Sequence, residues 1–240
     1  MRKPLKPFST NAVMALATLL ALPAHAADDT SHDWRQQCPG ANAWVQAHPG
    51  HTLSAMRRRD EARQLTQPDL LAELQRRTEA DQSARQRYLA NLNGRAERQA
   101  TARVDADNYA WVSRLLARDG LPTAAQVGEY GLHLLWLLVH HADNHPDFQA
   151  QALALLQRSH AVSDFNSEDL ARFTDRVRVN QHLQQPYGTQ ADWGKSMPGV
   201  TALMPLDEVE RIDANRRELG LMPLADYACM MHTLRKPDGG

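Results

Sequence analysis

Residues 128–149 read GEYGLHLLWLLVHHADNHPDFQ, and this stretch decides the fold. Leu134, Leu135, Trp136, Leu137, Leu138 and Val139 form an unbroken apolar run; wound on a helix they point in every direction, so the segment must be covered on all sides. It reads as a core helix over residues 124–143. At its C-terminal end His140, His141, Asp143, Asn144 and His145 crowd together before Pro146, which breaks the helix. The junction of greasy rod and ionisable cluster is the first candidate for a site.

Working outward, Pro146 and Asp147 open a further helix that buries Phe148, Leu153, Leu155 and Leu156. Asn166-Ser-Glu-Asp169 resembles a capping box and opens another, carrying Leu170, Phe173, Thr174 and Val177. Residues 181–206 are aperiodic, with three prolines and three glycines among polar residues; long ordered loops tend to be functional. Helices follow over 206–219 and after Pro223. Upstream of the core helix, Leu70, Leu71, Leu74, Arg77 and Asp81 recur at helical intervals behind Pro68, and residues 105–117 form a second helix ended by Gly120. The charge-rich continuation through Asp81, Gln82 and Arg85 reads as a solvated face. Residues 27–64 read as an irregular lead-in with a short helix at 40–47, and 65–240 as one all-α domain with a long ordered loop before its last helices.

Residues 1–26 have the pattern of a signal peptide: Arg2, Lys3 and Lys6, then an apolar run over 12–22, then Ala24-His25-Ala26. Cleavage before Ala27 leaves about 214 residues with 24 basic against 28 acidic side chains, a net of about −4, which points away from nucleic acid. No later stretch reaches the ~20 apolar residues of a membrane span. A periplasmic location is therefore expected, and an oxidising compartment favours pairing of Cys38 with Cys229. By loop entropy such a bridge contributes on the order of 4 to 5 kcal/mol.

The spacing of His140, His141, Asp143 and His145 matches no zinc-protease pattern, so neither a metal nor another cofactor is expected. No nucleophile elbow, phosphate-binding loop or dinucleotide fingerprint is present. A His at the end of a buried helix can still titrate near working pH and serve as general acid or base, or be a satisfied core group. Asp175 falls about 150° from the apolar centre of its helix, which makes it solvent-facing by pattern alone.

Several strings change that balance. Asp81-Gln82-x-x-Arg85, Asp107-Asn108, His141-Ala-Asp143, Asp175-Arg176-Val177 and Gln185-x-Tyr187-Gly188-Thr189-Gln190 resemble the motif series of an uncharacterised bacterial family, catalogued as domain of unknown function 6624. The tail, with Asp213, Arg216-Arg217, Gly220-Leu221 and Tyr227, is similar too; the resemblance spans roughly residues 70–228. It implies a polar pocket with His141, Asp143, Asp175 and Tyr187 as catalytic candidates and Arg176, Gln185 and Gln190 as substrate-binding ones. His141 would be oriented by Asp143 or Asp175, and the long loop would bring Tyr187 and Gln190 over the end of the core helix. The expected partner is a small polar molecule or envelope component, handled by hydrolysis or elimination. The alternative is a non-catalytic inhibitor or immunity module presenting Trp193 and Met197, or a structural lock built from Asp175, Arg176 and the loop.

Overall fold

The computed structural model describes residues 34–159, 164–192, 201–202 and 208–234; the expected export signal, Trp193 and Met197 lie outside them. Ten α-helices are present among the described residues: α1 Trp34–Gln37, α2 Pro39–Ala47, α3 Leu53–Glu61, α4 Pro68–Ala90, α5 Arg95–Asp119, α6 Ala124–His140, α7 Pro146–Arg158, α8 Ser167–Asn180, α9 Val209–Glu218 and α10 Leu224–Leu234. The two-residue strands Ala191–Asp192 (β1) and Thr201–Ala202 (β2) pair antiparallel within the long loop. The protein is all-α.

The core forms around α6, which packs against α3, α4, α5, α7 and α8. Residues 132–139 are each at most 3% exposed, as an apolar run on every face requires. Each large apolar side chain so buried contributes about 1.5–3 kcal/mol relative to exposure. Leu74 on α4, flanked by Leu70 and Leu71, and Val112, Leu115 and Leu116 on α5 pack into the same core as this rod.

The rod differs from expectation at both ends. Gly128 adopts φ 78°, a left-handed conformation inside α6, and the helix restarts behind it with the N–H groups of Glu129 and Tyr130 donating to the Asp60 carboxylate of α3 at 2.9 and 2.8 Å. A Cβ at Gly128 would run into that carboxylate. Gly128→Ala therefore combines backbone strain with loss of the cap, and we expect it to lower unfolding stability by about 1–3 kcal/mol; an unchanged urea midpoint would contradict this. At the other end, α6 stops at His140 rather than 143. Gln149 donates from Nε2 to the terminal carbonyls of Val139 and His140, and its Oε1 accepts from Asn180 at 2.7 Å, so α7 and α8 cap the rod together.

The short helix expected at 40–47 is present as α2, and the rest of residues 34–61 is mostly helical too, which corrects the expectation of an irregular lead-in there. Helices this short are not stable by propensity. Here they are held by docking: Trp34, Cys38 and Ala41 bury against Met222, Tyr227, Met230 and Met231 in a second core, and a Cys38–Cys229 disulfide joins α10 to the N-cap of α2. α5 likewise starts ten residues earlier than expected, because its charged first turns run beside the end of α4, where the Thr101 hydroxyl donates to the Ala84 carbonyl.

Candidate functional site

Where α6 ends, four elements contribute charged side chains to one buried cluster. His141 Nδ1 lies 2.9 Å from Asp81 Oδ2 of α4, and Arg85, one turn on, reaches both: its Nε is 3.0 Å from the same imidazole nitrogen and 3.2 and 3.3 Å from the Asp81 oxygens. Asp81, an acceptor only, and the Arg85 Nε–H, a donor only, compete for this nitrogen; with the proton on Nδ1 donating to Asp81, the Arg85 Nε–H turns to the Asp81 oxygens. His141 Nε2 then keeps its lone pair, buried and without a protein partner. Arg85 Nη2 also donates to Asp105 of α5. From α8, Arg176 Nη2 donates to His140 Nε2 at 3.4 Å, and its Nε stands 3.7 Å from Asp143 Oδ1 in the turn after α6. Asp81, Arg85, His140 and His141 are 0–3% exposed, while the side chains of Asp105 and Asp143, at 20% and 24%, form the edge that meets solvent.

Burial separates the titrations of these groups. It pushes the Asp105 carboxyl up, helped by Asp81 and Asp143 and opposed by Arg85, to about 7. Burial would raise Asp81 as well, but the His141 N–H and Arg85 outweigh it and hold that carboxyl at about 2. Burial and Arg85 lower His141 against the pull of Asp81, and burial with Arg176 lowers His140 further, so both imidazoles are neutral at neutral pH. The unfolded chain releases an aspartate proton near pH 4, whereas folded Asp105 keeps its proton to about 7. Folding takes up a proton in that window, and stability falls as pH rises through it. Asp81 acts in the opposite sense, its contribution being lost as pH drops from about 4 toward about 2. Asp105→Asn should flatten the decline of the urea midpoint between about pH 5 and 7; mutant and wild-type curves running parallel there would contradict the assignment.

The long loop makes a separate assembly. Asp175, fully buried rather than solvent-facing, accepts from the Tyr187 N–H (3.1 Å), the Thr189 N–H (2.7 Å) and the Thr189 hydroxyl (2.8 Å). The turn between them uses Gly188 at φ 67°. From α9, Arg216 donates to the Tyr187 carbonyl at 2.7 Å and Asn215 to that of Pro186 at 3.0 Å. The Gln185 side chain braces the loop by donating to the Gln190 carbonyl and accepting from the Gln190 N–H, both at 2.8 Å. The helical wheel misplaced Asp175 because it sees only the helix, and the covering surface is the loop. Burial lifts the Asp175 carboxyl to about 6 against the bonds from Thr189 and Tyr187.

The structure thus sorts the expected site residues into two groups. His141, Asp143 and Arg176 belong to the charged cluster; Asp175, Tyr187, Gln185 and Gln190 belong to the loop clamp. Consecutive residues of α8 join them, Asp175 holding the loop and Arg176 facing His140 and Asp143. The orienting carboxylate of His141 is Asp81, not Asp143 or Asp175, and Arg216 rather than Arg176 ties the loop carbonyl.

The run through Asp81 and Arg85 has the charge density of a solvated face, yet both side chains are buried and Asp105 is largely so. A signal was present: Leu74, Thr78, Asp81, Arg85 and Tyr88 follow one helical stripe, as do Thr101, Asp105, Asn108, Val112 and Leu115. Charges lying on an apolar stripe are buried charges. A cleft of about 500 Å³, lined by none of the cluster's side chains, has Tyr109, Asn144, His145 and Phe148 in its wall, with the Tyr109 and His145 rings stacked 3.4 Å apart. Among the described residues no group of three or more His, Cys, Asp or Glu side chains is arranged to hold a metal ion. No helix among them is long and apolar enough to cross a membrane.

Fold and site together define an all-α protein whose buried central helix ends in an internal His–Asp–Arg cluster. The chain belongs to the family of unknown function DUF6624, whose model matches residues 68–235, from the first residue of α4 past the end of α10. Helices α1–α3 precede the matched region; α1 and α2 complete its second core and α3 packs on α6. No curated protein and no solved structure matches the chain.

Proposed function

We propose that the protein is an exported, periplasmic enzyme that carries out general acid–base chemistry, hydrolysis or elimination, on a polar envelope substrate. The observation that carries this reading is the Asp81–His141 pair: one imidazole nitrogen lies 2.9 Å from a buried carboxylate and the other is buried without a partner in the protein. His141 Nε2 serves as the base. Asp105, whose carboxyl titrates near 7 on the same guanidinium, serves as the acid. A buried base and a partly exposed acid held by one guanidinium are the pair that proton transfer in two directions needs. The Asp169–His133 pair repeats the first half of this arrangement, with Nδ1 at 2.7 Å from the carboxylate and Nε2 also unpartnered; what sets His141 apart is the Arg85–Asp105 pair beside it. Location and substrate class rest on the N-terminal segment and its expected compartment.

The reading is tested by assaying purified protein against peptidoglycan fragments, peptides, and small esters and amides. Turnover of at least one class is expected, with His141→Gln and Asp105→Asn each reducing kcat by about 10²–10⁴-fold while helical circular dichroism is retained. No turnover across the panel, or turnover indifferent to His141→Gln, would overturn it.

A further inference from the structure

We propose that the cluster is built to hold one water molecule between His141 Nε2, the Asp143 carboxylate and Arg176 Nε, and that this water is the nucleophile of a hydrolytic reaction. This rests on the acid–base reading of the same cluster and chooses between its two reactions.

His141 Nε2, both Asp143 oxygens and Arg176 Nε are all buried, and none has a hydrogen-bond partner in the protein. Orphaned polar atoms are uncommon in native interiors; here two of them, Arg176 Nε and Asp143 Oδ1, stand 3.7 Å apart and the third group, His141, is two residues before Asp143, which marks this end of the rod as a position for a polar guest. The Arg176–Asp143 separation of 3.7 Å is too long for a direct bond and suits two groups sharing a third. Asp143 also sits near enough to His141 for its charge to favour the imidazolium.

The donor and acceptor count selects the guest. Nε2 and the carboxylate offer only lone pairs, and Arg176 Nε offers only a hydrogen. An anion would face the carboxylate, and a metal or ammonium cation would face the guanidinium. A neutral molecule that donates twice and accepts once satisfies all three, and about three hydrogen bonds is the usual complement of a buried water. Its remaining lone pair is left for attack on a substrate entering from the Asp105–Asp143 edge.

In the step this defines, the water oxygen forms a bond to an electrophilic carbon of an ester or amide while one of its O–H bonds breaks, the proton passing to His141 Nε2. The bond from that carbon to the leaving group then breaks, and the leaving atom's electron pair takes the proton of Asp105. Transfer of the proton from the imidazolium to the Asp105 carboxylate, through solvent at the open edge, restores the starting state. The Asp81 carboxylate stabilises the imidazolium meanwhile, and no oxidant, reductant or further reactant is consumed.

The test is a crystal structure of the full mature chain at a resolution that orders waters, beside Asp143→Ala and, should that variant fail to fold, Asp143→Asn. A solvent peak within hydrogen-bond distance of Nε2 and the carboxylate is expected in the wild type and should be lost or displaced in the variant. A dry site, a peak unmoved by the substitution, or direct contact of Nε2 with a protein group would overturn the proposal. With the imidazole still donating to Asp81, such results remove the water alone; an imidazole turned away from Asp81 removes the acid–base reading as well.

Discussion

Arg85→Met should lower unfolding stability by about 3–5 kcal/mol, the usual cost of stripping the partner from a buried charge. Arg85 is 3% exposed and is the guanidinium on which two carboxylates converge: Asp81, itself 1% exposed, and Asp105. Methionine fills much of the arginine stem but leaves Asp81 ionised in a low-dielectric site, without a cation and with only the neutral donors of His141 and the Gln82 amide, 2.9 Å away, to satisfy it. Chemical denaturation gives the loss directly. The double variant Asp81→Asn/Arg85→Met should recover a sizeable part of it, because the stranded charge is then gone. A loss under about 1 kcal/mol would show that water reaches the pair, as at an exposed salt bridge, and the cluster would not be the dry site described here.

Opening the disulfide should have an effect of similar size. Cys38 and Cys229 are 191 residues apart, and a loop of that length corresponds to about 5 kcal/mol in the chain-entropy model. The consequence is also local. The four-residue α1 and nine-residue α2 lack the length to persist alone, so in Cys38→Ala/Cys229→Ala they should leave α10 well before the α6 core unfolds. Trp34, fully buried against α10, should then shift its fluorescence to the red at denaturant concentrations where helicity is largely intact. A double variant with the wild-type midpoint and no early Trp change would mean that packing alone holds this end of the molecule.

How much of this was legible in the sequence follows from what each signal depends on. The apolar run at 134–139 has one physical solution, burial on all faces, and the α6 core follows from it whatever the details. Pro68, Pro146 and Asn166 mark helix starts through local chemistry, and α4, α7 and α8 begin where they indicate. The break at Gly128 was hidden because its cause, the Asp60 carboxylate, comes from another helix. The early helices were hidden because their stability is borrowed from α10, 190 residues away in sequence.

The site was half visible. The ionisable residues at the end of the core helix drew attention, and His141 sits in the cluster. Its true partners lie on α4 and α5, where frequent charge along the helices masked which few occupy the buried stripe. Asp175 shows the converse limit: a residue on the wrong face of its own helix is buried by a loop whose path no periodicity describes.

The most direct measurement is the tautomer of His141, read from long-range proton–nitrogen correlation spectra of histidine-labelled protein at neutral pH. A neutral ring with hydrogen on Nδ1 and a bare Nε2 is predicted, its Nδ1 proton shifted by the bond to Asp81 and that shift lost in Asp81→Asn. Hydrogen on Nε2, with Nδ1 accepting from Arg85, would leave no base at the end of the core helix and would contradict the account.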